Sequence, residues 1–388
     1  MNKEYILKHK NNEVLIFEMD DLKYNILDIK KIINKERLPF GLIYGNNIIQ
    51  CGIQLESWIK GRGIADSRND KNNIKLLFNV KDTCELTVKS LGLNVTDHYW
   101  FHDINIDSKW ENVNCFENYF DIIKVTENND PSIDKNVKIP SPNFCVDGSI
   151  EKRWIINENN ERILLKGSRI KGRMQEPFNE NIASSIMNEV GIKCVNYNLK
   201  RNIDYIPYSE CKTMSDNNFE YINAKWIFDK EEYGFKNVYE YYIEICKNNG
   251  IDNVKEKIDE MIVIDFIIGN VDRHHGNFGI LRNSETLKWD SVANIFDNGN
   301  SLFFDIDDNL IKEHGIDTLC KSFEGSNRLQ LEVIDYPEWY NESKGKMIIE
   351  IVKQGLNNNK LLRKERIESI IDIIKERIFV FEKIINKK

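Results

Sequence analysis

GNVDRHHGNF, residues 269–278, sets one acid, two imidazoles and two amides into ten positions directly after the apolar run MIVIDFII. Gly269 and Gly276 bracket the polar residues, so the pattern predicts a helix ending near Ile268 and then a loop carrying Asp272 and Asn277. FGIL at 278–281, the polar turn RNSE and the stretch LKWDSVANIF predict a hairpin that delivers Asp297, in FDNG, at its far end. Two acids and an amide thereby return to one neighbourhood. Phosphoryl transfer from ATP needs that set, with a carboxylate to position and deprotonate the attacking hydroxyl and oxygen ligands for magnesium. Protein kinases place an Asn five residues after the first Asp and a second metal-binding Asp after a short hairpin, and Asp272, Asn277 and Asp297 meet both spacings.

Working upstream, a kinase also needs a strand lysine for the phosphates and a helix glutamate to hold it. KRWIINENNERILLKGS reads as a hairpin turning at 157–160, and Lys166 ends its second strand. By period-two alternation Lys166 shares a face with Leu164, opposite Ile163 and Leu165, so the amine can point into a nucleotide cleft. EPFNENIASSIMNEVG is a helix with Pro177 near its start and Gly191 at its end, striped by Ile182, Ile186 and Val190. Glu180 and Glu176 on that helix are both candidate partners for Lys166, and the residues alone leave the choice open. YNLKR at 197–201 and IPYSECKTM at 206–214 form a second strand pair, and from about residue 236 the chain is mainly helical, closing on IESIIDIIKERIFVFEKII.

The clearest seam is ENNDPSIDKNVKIPSPN at 127–143, where three prolines in a polar stretch exclude a continuous helix or central strand. The expected organisation is an accessory module over 1–126, a linker over 127–143, a strand-rich lobe over 144–215 and a helical lobe over 216–388. Trp58, Trp100 and Trp110 in the accessory module are expected in its core rather than on a binding surface. No run of eighteen apolar residues and no signal-peptide pattern opens the chain, which points to a cytoplasmic protein with no membrane partner. Eight cysteines are scattered without a CxxC pair, as expected of reduced, mostly buried thiols. A net charge of -8 argues against direct nucleic-acid binding.

Taken together, SPNFCVDGSIEKRW, ILLKGS, EPFNENIAS, DFIIGNVDRHHGNFGIL and IFDNG, in that order over most of residues 140–300, resemble the HipA-type kinase family and its shorter single-chain relatives. WIKGRGIADSR at 58–68, SLGLNVTDHYW and WENVNCFENYF resemble the N-terminal module of those relatives. The resemblance implies an α+β, bilobal, protein-kinase-like fold with an additional N-terminal module, and a serine/threonine kinase using ATP and magnesium. By position Asp272 matches the catalytic aspartate, Asn277 and Asp297 the metal ligands, Lys166 the nucleotide-binding lysine and Glu180 its partner. Cys211, Lys212, Thr213 and Met214 fall where a hinge receives adenine through backbone hydrogen bonds, and CVDGSIEK places Gly148, Ser149 and Lys152 at the phosphate-covering loop. That loop has one glycine and no G-x-G-x-x-G. Cys145 stands three residues before it, where many relatives carry an autophosphorylated Ser or Thr, and Ser149 is the nearest hydroxyl. Some relatives are toxins that phosphorylate an aminoacyl-tRNA synthetase, so a protein substrate and an antitoxin partner are implied.

Two other readings compete. A pseudokinase would keep the fold as an ATP-binding regulatory module, but such proteins usually lose the lysine or an acid, and all are present here. His274 and His275 beside Asp272 raise a metal-dependent phosphoesterase, yet the chain has six histidines and no G-D-x-x-D segment to complete a two-metal set. The resemblance gives His274 a structural role bridging loop carbonyls, while His275 is read as an exposed loop residue.

Overall fold

The computed structural model describes residues 2–42, 48–64, 68, 70–118, 150–228, 237–335 and 337–387. The expected linker at 127–143, Cys145, Gly148 and Ser149 lie outside them. The chain separates into two compact units, one of Met1–Leu165, Ser215–Ile222 and Asn283–Leu287, the other of Lys166–Met214, Asn223–Arg282 and Lys288–Lys388.

The first unit is built on an antiparallel sheet of β1 (Asn2–His9), β2 (Asn12–Asp20), β3 (Ile26–Ile32) and β4 (Tyr99–Asp103) in the order β3-β2-β1-β4. Alternation decides its buried face: Leu15, Phe17 and Met19 on β2 are all fully buried, and β1 pairs with both β2 and β4. α1 (Ile48–Gly61) packs on β3. Beyond α1, Arg62 forks onto Asp97 at 2.7 and 2.8 Å and lies over the Trp58 ring. Trp58, Trp100 and Trp110 are all buried, as expected. β5 (Lys152–Ile156) runs into a turn closed by the Asn157 N–H on the Glu161 carbonyl at 3.0 Å, with Asn160 left-handed, and β6 (Arg162–Lys166) follows.

In the second unit α2 (Glu176–Val190) starts with Pro177 in its first turn and stops at left-handed Gly191, as the sequence predicts. β7 (Tyr197–Arg201) and β8 (Pro207–Lys212) pair antiparallel, with Tyr197 opposite Cys211. α3 (Val254–Ile268) is buried almost all round, and Gly269 ends it in the left-handed conformation. β9 (Gly279–Asn283) and β10 (Trp289–Val292) form the predicted hairpin through residues Ile280–Arg282. α4 (Glu342–Asn357) packs against α2, and α5 (Lys364–Ile385) buries Ile370, Ile374, Ile378 and Phe381. The mixture of helices with antiparallel sheets is the expected α+β class. Among the described residues no helix is long and apolar enough to cross a membrane.

Candidate functional site

Lys166, Glu180, Asp272, Asn277 and Asp297 fall in the second unit, as do Cys211, Lys212, Thr213 and Met214. Lys166 ends β6 with its amine buried and ion-paired to Glu180, and its Nζ lies 2.5 Å from Asp297 Oδ1. Glu180 is therefore the partner. Glu176 instead accepts from the Ser168 hydroxyl and from the Arg169 N–H at 2.9 Å. Burial works against the charge on Lys166, but the carboxylates of Asp297 and Glu180 outweigh it and hold the ammonium above its usual range. The Tyr197 ring lies 5.3 Å from Nζ, and the Tyr197 hydroxyl accepts the Asp297 N–H at 3.2 Å.

α2 also holds the segment that carries Asp297. Glu180 Oε2 accepts the Asn298 N–H at 2.8 Å, while the Asn179 amide donates to the carbonyls of Gly299 at 2.9 Å and Ser301 at 2.7 Å. A side chain at Gly299 would come within 3.3 Å of Glu180 Oε1, so the glycine permits this close approach. Asp297 itself has φ 57°, a left-handed conformation that Asp tolerates better than most residues.

The loop after α3 is closed by its own amides. Asn270 Oδ1 accepts the Asp272 N–H at 3.0 Å, while Asn270 Nδ2 donates to Asp265 at 2.9 Å. Asn277 Nδ2 donates to the Asp272 carbonyl at 2.9 Å, which leaves Oδ1 as its metal-capable atom. Arg273, fully buried, then joins three segments: it forks onto Asp265 at 2.8 and 3.0 Å, and donates to the carbonyls of Asn277 and Phe296 and to Asn298 Oδ1. Its burial opposes the charge, and the Asp265 carboxylate more than compensates, holding the guanidinium above its usual value. Because Arg273 grips the residues on both sides of Asp297, the loop and the second acid are fixed relative to each other.

Both oxygens of Asp272 are engaged, Oδ1 by Lys321 Nζ at 2.6 Å and Oδ2 by Asn300 Nδ2 at 2.7 Å. Asn300 Oδ1 and Asn298 Nδ2 are buried with no hydrogen-bond partner among the described residues. Asn277 Oδ1 and the Asp297 carboxylate are hard oxygen donors, the kind that magnesium takes.

The imidazoles correct two expectations. His275 is held, not exposed: it packs on Phe228 and Phe278, and its Nε2 is 2.6 Å from the Ser322 carbonyl. His274 uses Nδ1 to accept the Gly276 N–H at 3.0 Å, rather than bridging carbonyls. His274, whose Nδ1 lone pair is taken by the Gly276 N–H, offers no ligand atom in that tautomer, so the phosphoesterase reading loses one of the two imidazoles that motivated it.

Elsewhere, in the first unit, His9 and His98 converge on Glu220 Oε2 at 3.1 and 3.4 Å, all three fully buried. The spacing suits a metal, but the donors do not. Arg37 NH1 lies 2.8 Å from His9 Nδ1 and can only donate, so His9 carries its hydrogen on Nε2 and gives it to Glu220. A metal there would need a lone pair on Nε2, where the hydrogen sits.

Of the remaining candidates, Cys211 is buried at the end of β8 with its thiol pushed up to about 12 by burial, while Lys212 is exposed and Thr213 and Met214 half-buried. Lys152 opens β5 in the first unit, its carbonyl taking the Arg68 guanidinium. The described cysteines are all free thiols, buried except for half-buried Cys84. Arg273, Asn298, Asn300 and Lys321 were not anticipated. Arg273 and the asparagines adjoin the motif residues and could have been found as neighbours, but Lys321 carries no local signal.

No family model matches the sequence, and no curated protein matches it. Among solved structures, HipA of Shewanella oneidensis MR-1, in complex with HipB and its operator DNA, matches with a TM-score of 0.56 at 9% identity, over 98% of this chain and 99% of that one. The Helicobacter pylori proinflammatory kinase CtkA matches with a TM-score of 0.47 at 19% identity, over 62% of this chain and 95% of that one. The chain thus has the kinase-like fold of HipA along nearly its whole length.

Proposed function

We propose that the protein is a serine/threonine kinase that transfers the γ-phosphoryl group of ATP to a protein hydroxyl with magnesium. The observation that carries the reading is the buried Lys166 ammonium held between Glu180 and Asp297. Placing a lysine there is costly unless the charge is used, because desolvation of the ammonium must be offset by its partners. In the kinase arrangement Lys166 neutralises the α and β phosphates, and Glu180 keeps it aimed.

Asp272 orients the acceptor hydroxyl and takes its proton as the new oxygen–phosphorus bond forms. Asn277 Oδ1 and the Asp297 carboxylate would hold magnesium, which when bound bridges the phosphates and neutralises their charge. The backbone of 211–214 receives adenine. The HipA structure contains HipB, and by that likeness a protein partner of antitoxin type is part of the proposal; a translation protein such as an aminoacyl-tRNA synthetase as substrate rests on the sequence resemblance alone.

The test is incorporation of label from γ-labelled ATP, with magnesium, by the purified chain alone and with a bacterial lysate, beside Asp272→Asn. Label that vanishes in the variant supports the kinase. Absence of magnesium-dependent ATP binding would sink it.

A further inference from the structure

Lys321 reaches Asp272 from 49 residues downstream, and its Nζ stands 2.6 Å from Oδ1 with the side chain 57% exposed. Its backbone, by contrast, is anchored. A parallel bridge pairs it with His274, the next residue's carbonyl takes His275 Nε2, and Asn327 donates to the carbonyl of Asn270 and the hydroxyl of Thr318. Arg377, buried in α5, fixes the start of the same segment through the carbonyls of Gly315 and Ile316 and the Thr318 hydroxyl. A rigid mount thus presents a mobile four-carbon stem and a cation to the carboxylate.

We infer that Lys321 is a further catalytic residue of the proposed phosphotransfer, supplying positive charge on the acceptor side of the transferring phosphoryl group. The inference rests on the kinase reading. Lys166 serves the nucleotide side, bound to Glu180 and Asp297, and no other cation among the described residues contacts Asp272. A hydroxyl bonded to the Asp272 carboxylate lies within roughly 5 Å of Nζ, since two hydrogen bonds of ordinary length meet at that one group. The phosphoryl oxygens arriving on that hydroxyl then come within reach of the ammonium. Asn300 holds Oδ2 from a segment whose backbone carbonyl is bonded to the Val271 N–H at 3.1 Å, so the flexible lysine is the contact that can shift.

The step balances without a redox partner. The acceptor O–H gives its proton to Asp272 while its oxygen bonds to the γ phosphorus, and the bond from phosphorus to the bridging oxygen breaks with its electron pair leaving on ADP. Lys321 keeps its proton throughout and stabilises the charge on the phosphoryl oxygens. Before the acceptor binds, the same ammonium offsets the repulsion between the Asp272 carboxylate and the incoming phosphates.

The experiment compares wild type, Lys321→Met, Lys321→Arg and the surface control Lys312→Met, all full length. Initial rates of γ-phosphate transfer to lysate protein are measured at saturating magnesium-ATP, with the KM for ATP and the melting temperature of each. The expected result is a fall in rate of about 100-fold for K321M with KM and melting temperature unchanged. K321R should recover at least a tenth of the wild-type rate, and K312M should match wild type. A K321M rate within twofold of wild type, or K321R as slow as K321M, would overturn the assignment while leaving the kinase intact. Wild type that binds magnesium-ATP without transferring phosphate overturns both.

Discussion

Asn277 donates its side-chain amide to the backbone carbonyl of Asp272, 2.9 Å away. That bond closes the loop between the two residues and decides which end of the amide is left to meet a cation. The spacing visible in the sequence is therefore also a structural device.

Asn277→Ala should raise the magnesium concentration needed for half-maximal nucleotide binding by about tenfold or more, because a ligand and the loop closure are lost together. Asp297→Asn should do the same, whereas Asp272→Asn should abolish turnover and spare ATP binding. A magnesium titration with a fluorescent ATP analogue checks the binding of all three, and transfer of labelled γ-phosphate checks the turnover of Asp272→Asn.

Glu180→Gln removes the charge paired with a buried ammonium, and breaking such a pair costs about 3–5 kcal/mol. A lower melting temperature and weaker ATP binding are expected. Glu176→Gln, whose native contacts are Ser168 and Arg169, should leave ATP affinity near wild type. Equal loss of affinity in both variants would contradict the assignment of Glu180.

Arg273→Lys keeps the charge but cannot span Asp265, Asn277, Phe296 and Asn298 at once. Buried acceptors left unsatisfied cost about 1–3 kcal/mol each. Urea unfolding should show reduced stability, and magnesium-dependent nucleotide binding should weaken because Asp297 is no longer clamped to the loop.

His275 titrates below its ordinary 6.5, chiefly because burial disfavours its charged form, with the Ser322 carbonyl pulling the other way. A depressed folded pKa means the unfolded chain binds the proton more readily. The contribution to stability is thus present above 6.5 and is lost as pH falls through the folded value. Melting temperature should drop more steeply between pH 7 and pH 5 for wild type than for His275→Gln, which keeps a donor toward Ser322 but does not titrate. Parallel curves would refute this.

Short-range signals carried much of the fold. Pro177 and Gly191 bound α2, Gly269 stops α3, and the Asn-rich turn at 157–161 joins β5 to β6, because caps and turns are decided by the φ preferences and hydrogen bonds of a few adjacent residues. The spacing of Asp272, Asn277 and Asp297 was legible for the same reason: a loop and a hairpin are local objects. His275 was misjudged because its burial comes from Phe228 and from residue 322, neither of which its own segment reveals.

What the sequence by itself determined was the identity and order of the chemical groups, and the elements that carry them. Tertiary structure decided their pairing. Glu176 and Glu180 stand one helical turn apart on the same face, so no periodicity separates them, and only the placement of Lys166 and the Asp297 segment against α2 selects Glu180 for Lys166. Likewise Lys321 meets Asp272 because Arg377, Asn327 and His275 pin a distant segment beside the loop. Contacts over such separations depend on how whole elements pack, and packing is a property of the folded chain that no window of sequence contains.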